Sequence, residues 1–119
     1  MINLLRWAIR LAGLGALVLG VLFWRGTFTG ALHIHMALGG IVALVLVIMA
    51  VCALVAGVRI PLAIVSVVWA AATVYVGLTQ GSGHVVIEIV HLLLGVGAIG
   101  MAEALGGAMA RRKTLLGEA

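Results

Sequence analysis

The sequence is short of charge. Only 8% of its 119 residues are Asp, Glu, Lys or Arg, against about a quarter in an ordinary soluble domain. Three residues are acidic, too few to build the polar shell that keeps a water-soluble globule dispersed. A single cysteine excludes an internal disulfide framework and a zinc-knuckle array. The seven basic residues leave a formal net charge of +4, yet they sit scattered at segment ends and form no stripe for nucleic acid. What remains is apolar: 66% of the chain, with a mean hydropathy of +1.39. That excludes disorder and a linker, and leaves an integral membrane protein whose solvent and first partner is the lipid bilayer.

A helix needs about 20 mostly apolar residues to cross the hydrocarbon core. On that measure the chain divides into four spans, from about Leu4 to Trp24, Ala31 to Val58, Ile60 to Leu78 and His84 to Ala110. The runs are long and lack strict alternation, and open strands cannot satisfy their backbone in lipid, so helices are expected. The breaks are short: the stretch from Arg25 to Gly30, Arg59 with Pro61, and Thr79-Gln80-Gly81-Ser82-Gly83. Pro61 suits the first turn of a helix, where its missing N–H is no loss. Connections this short force neighbours antiparallel, which predicts an all-α, up-down four-transmembrane-helix bundle forming one domain over residues 1–119.

Arg6 and Arg10 ahead of an apolar run match the front of a signal peptide. No small-x-small cleavage site follows near Trp24, so the segment is read as a retained span. Six of the seven basic residues, Arg6, Arg10, Arg59, Arg111, Arg112 and Lys113, share one side, and Arg25 alone faces the other. The positive-inside rule then places both termini in the cytoplasm.

In a chain this apolar the polar residues inside the spans carry the information. His33 and His35 open the second span, and His84 and His91 open the fourth. Those two helices run parallel in an up-down bundle, so all four histidines gather in the non-cytoplasmic half. Two of them share a spacing: His35 precedes Gly39 by four residues, and His91 precedes Gly95 by four. A residue at i+4 lies one turn along on the same face, and a glycine there removes the side chain that would collide with a flat ring. Two helices offering His and Gly to each other form a slot with a nitrogen at each wall, the arrangement of a bis-histidine haem. His35 and His91 are the expected axial ligands of the iron. The motifs stand 56 residues apart (35 to 91), and that shift lays the first helix on the third, a pattern of two diverged helix-hairpin repeats. The competing reading of each histidine is an interfacial cap, and of each glycine a close helix contact.

His84 and Arg25 are candidates for the haem propionates, and His33 for the interface. A second haem would have only His33 and His84 at the membrane edge, so one is expected. Glu88 is expected to orient a histidine N–H or to pair with Arg25. Glu103 is expected to pair with Arg10 as a structural tie. Cys52 is read as a small hydrophobe within the second helix, Met36 as a lipid contact or an alternative ligand, and the stretch from Gly95 to Gly100 as a close helix contact sufficient for a tight bundle or a homo-oligomer.

With His35-Met36-Ala37-Leu38-Gly39 and His91-Leu92-Leu93-Leu94-Gly95 in view, the chain resembles small bacterial four-helix membrane cytochromes b. The resemblance implies one non-covalent haem b in a bacterial inner membrane and electron transfer with a quinone or quinol, superoxide or a redox partner protein. No Cys-x-x-Cys-His occurs, which excludes c-type attachment. The chain departs from larger two-haem cytochromes b, because the cytoplasmic half has no histidine. Two rivals stand beside this reading. One is an accessory subunit of a larger respiratory or photosynthetic membrane complex, with a histidine on the magnesium of a chlorophyll-type pigment. The other, ranked last, is a small transporter; four-helix drug exporters use an acid in the first helix, and Leu11 to Trp24 has none.

Overall fold

Each apolar run folds as one continuous helix. The computed structural model describes residues 1–79 and 84–117 and contains α1 (Ile2–Trp24), α2 (Leu32–Val55), α3 (Ile60–Leu78) and α4 (Val85–Leu115). All four are long and apolar enough to cross a membrane. A short 3₁₀ turn, Thr29–Ala31, leads into α2. Most of the third connection, read from 79 to 83, lies outside the described residues.

The expected boundaries hold closely for α1 and α3 and shift for the other two. The second span was expected to run on to Val58, but α2 stops at Val55, because Gly57 turns left-handed at φ 64° and redirects the chain. Arg59 also adopts a left-handed conformation, and Pro61 stands in the first turn of α3, so the reversal takes only four residues. The last span was expected to end at Ala110; α4 instead continues to Leu115, with Arg112 and Lys113 in its final turn, where cations complement the helix dipole. Its start also moves, since His84 is extended and caps the helix from outside it.

The helices alternate in direction. Each packs on its chain neighbour, α1 closes onto α4, and α2 meets α4 across the bundle. The centre is built from small side chains, among them Ala12, Ala50, Ala53, Ala98 and Ala102, around the fully buried Ile9, Leu46, Met49 and Leu105. Small residues suit a medium in which lipid tails are as apolar as leucine, because close backbone approach and dispersion then drive association. The larger apolar side chains, such as Leu11, Leu44, Val68 and Leu93, point outward.

Polar ties fix the register. Glu103 on α4 accepts hydrogen bonds from Arg10 Nε at 2.6 Å and Nη2 at 2.8 Å. It also accepts two from Arg6, at 3.1 and 2.6 Å. The expected Arg10–Glu103 pair is thus one half of a three-residue clamp. Arg6 and Arg10 are four residues apart and so share a face of α1, which makes Arg6 readable from the same spacing. The methylenes of Arg6 lie over Gly106, where a Cβ would stand 2.7 Å from Cδ. Trp69, too deep for an interfacial belt, donates from its indole N–H to the Leu94 carbonyl at 2.8 Å. Its ring rests on Gly97, whose added Cβ would come within 2.6 Å.

Rigid ring and helix backbone leave no slack at that contact. Gly97→Val is expected to destabilise the bundle by about 1–3 kcal/mol through overpacking, whereas Gly100→Val, where a Cβ meets nothing within 4 Å, is expected to be neutral. Thermal unfolding in detergent distinguishes the two variants.

Candidate functional site

The end of the bundle away from the chain termini does not close. A cavity of about 310 Å³ lies there, walled mainly by α1, α2 and α4 with Thr73 as the contribution from α3. It extends from Thr29 and Glu88 at the rim down to Gly13, Val42 and Ile99. On α4, Glu88 to Ile99 is about 16 Å of helix at ~1.5 Å per residue. The Ile99 side chain shuts the floor against Gly13, where a Cβ would come within 2.5 Å.

His35 and His91 both line this cavity. Their ring centroids are 6.1 Å apart with planes inclined at 61°, an edge-on arrangement. Each ring is seated by the other helix of its own hairpin. His35 lies against Gly20 of α1, where an added Cβ would stand 3.4 Å from Cε1; His91 lies against Gly77 of α3, where it would stand 2.8 Å from Cε1. His35 Nδ1 is 2.9 Å from the Ala16 carbonyl and donates to it in the Nδ1–H tautomer. The matching group in the second hairpin is the Thr73 backbone carbonyl, which flanks His91. It does not reach full hydrogen-bond geometry, so the buried His91 Nδ1 is left unpaired. Ala16 with Gly20 and Thr73 with Gly77 each show the same four-residue spacing. The two hairpins therefore seat their histidines against a glycine in the same way, although only His35 completes the backbone hydrogen bond. The edge of Phe23, at 5.4 Å between centroids, covers His35 further.

Gly39 and Gly95 border the same cavity, and a Cβ on either would enter open space. They keep the walls flat beside the histidines. Gly20 and Gly77 went unrecognised in the sequence, although each precedes its histidine at nearly equal distance, 15 residues in one hairpin and 14 in the other.

The remaining expected residues are placed differently. Arg25 caps the end of α1 as an exposed residue beyond Trp24, and His84 is exposed at the cap of α4; neither lines the cavity. Glu88 does line it, half-buried at the rim. It neither pairs with Arg25 nor orients a histidine, because Arg25 lies past the helix end and His35 uses a backbone carbonyl. His33 is exposed, and so is Met36, at 52%. Cys52, expected in the middle of its helix, is half-buried in the last turn of the shortened α2.

Among the described residues no three His, Cys, Asp or Glu side chains converge to hold a bare metal ion. The site offers two imidazoles, a flat glycine-lined wall and little else that is polar. Comparison with protein-family models, curated proteins and solved structures found no match for this chain.

Proposed function

We propose that the protein is a membrane b-type cytochrome that binds one haem between His35 and His91. The observation that carries the reading is the spacing of the two rings. The two rings line one cavity with their centroids 6.1 Å apart, so His35 and His91 would together hold one group placed between them. Two ligands alone do not satisfy an ion, so the metal must bring the rest of its coordination with it, as a porphyrin does. The open faces of Gly39 and Gly95 fit a planar group, as does a cavity within the 300–1,000 Å³ range of small-ligand sites.

Bound there, haem supplies reversible one-electron transfer. The chain contributes position and environment. Ala16 holds the Nδ1–H tautomer of His35, which leaves Nε2 as the nitrogen that would ligate, the usual outer support of a ligating histidine. Gly20 and Gly77 set the depth of each ring. Leu17, Val42 and Leu92 exclude water from the walls. Held by His35 and His91 together, the haem would serve as an electron relay, with a quinol, superoxide or a redox protein as partner. Two histidines favour iron over a chlorophyll-type pigment, for which one suffices. The cavity stops at Ile99, midway along the bundle, which favours a binding site over a transport path. Placement in a bacterial inner membrane with cytoplasmic termini belongs to the same proposal and rests on the six basic residues at the terminal end.

Purified protein expressed with ample haem is expected to give a b-type reduced-minus-oxidised spectrum, and the His35→Ala, His91→Ala double variant to give none. An unchanged spectrum in that variant would sink the proposal. Gly39→Leu and Gly95→Leu, which fill the cavity without touching either histidine seat, are expected to fold normally and to lower haem affinity by about tenfold or more, roughly 1.4 kcal/mol. Haem titration of the apoprotein reads this directly.

A further inference from the structure

The opposite end of the bundle contains a second cavity, of about 320 Å³, bounded by the start of α1, the last turn of α2 with the turn after it, and the end of α4. Its existence follows from unequal helix lengths. α2 stops at Val55 and turns away at Gly57, while α4 runs on to Leu115 and overhangs the gap. The inner wall is apolar, with Ile2, Val58 and Met109, and the rim carries Arg112 and Lys113. The Arg112 guanidinium bends toward the α2–α3 turn, lying 4.0 Å from where a Cβ on Gly57 would stand. Arg111, by contrast, folds back along its own helix over Gly107.

Among the described residues, charge at this end is one-sided. Arg59, Arg111, Arg112 and Lys113 have no ion-pair partner among the described residues. Glu103 is already claimed by Arg6 and Arg10, and Glu88 lies at the far end of the bundle. A crevice with an apolar floor and a cationic rim, placed where the helices leave the hydrocarbon, is complementary to a molecule with an anionic head and an apolar body. Basic pockets between transmembrane helices take acidic lipid headgroups for this reason, and arginine adds two-pronged recognition of phosphate.

We infer that this crevice binds the headgroup of an anionic phospholipid, with Arg112 and Lys113 on the phosphate and the acyl chains descending over the exposed flank of the bundle. The site is independent of the histidine cavity and stands whether or not haem binds there.

The test is native mass spectrometry of the full chain in micelles containing equal amounts of phosphatidylglycerol and phosphatidylcholine with identical acyl chains. The expected result is a preference for phosphatidylglycerol of about thirtyfold, at about fivefold for each cation beside an anionic headgroup. Arg112→Gln with Lys113→Gln is expected to abolish the preference. The charge-keeping exchange Arg112→Lys with Lys113→Arg is expected to retain most of it, as is Arg111→Gln. Excess inorganic phosphate is expected to displace no more lipid than chloride of equal ionic strength. Equal binding of the two lipids overturns the inference, and so does an equal loss in Arg111→Gln, which would mark diffuse attraction. Displacement by phosphate alone overturns it in favour of a free-anion site.

Discussion

Everything in this molecule turns on keeping a gap open inside a bundle that otherwise closes by small-residue contact. Lipid gives helices little reason to associate except close fit and polar ties. The half of the bundle nearer the termini uses both, with alanines at the axis and the Arg6–Glu103–Arg10 clamp between α1 and α4. At the histidine end the same small residues serve the reverse purpose. Gly20 and Gly77 let a ring sink into the neighbouring helix, and Gly39 and Gly95 leave the space in front of the rings empty. Glycine thus makes contact in one place and withholds it in another, and the difference lies only in which face of the helix it occupies.

Much of this was legible beforehand. Span number, alternating direction and the grouping of His35 with His91 follow from run length and connection length, which are strong constraints in a bilayer. The Arg10–Glu103 tie followed from comparing depths. Less legible were features decided by backbone geometry. The left-handed Gly57 cuts α2 short, which leaves Cys52 in its last turn. The seats at Gly20 and Gly77 lie on the helix before each histidine, and an i+4 pattern within a single helix cannot point to them. Arg25 and His84 were placed near the site by depth, but each stands beyond its helix end and outside the cavity lining.

The two ends of the molecule are chemically opposed. One presents imidazoles, glycine and a lone carboxylate around an apolar void; the other presents four cations without a protein counter-charge among the described residues. Between them the floor formed by Ile99 on Gly13 and the Arg10–Glu103 half of the clamp lie one turn apart on both α1 and α4. A change that loosened the clamp would reach the cavity floor within that turn, so stability and site shape are coupled through the α1–α4 contact.

The helices are also mismatched in reach. At ~1.5 Å per residue, α3 is about 28 Å long and α4 about 46 Å. Against a hydrocarbon layer about 30 Å thick the first falls slightly short, while the second has more than two turns to spare. Thickening the bilayer therefore strains one side of the protein alone: the surrounding lipid must thin beside α3, or the whole bundle must stay upright to keep α3 across. Its tilt is governed by its shortest member.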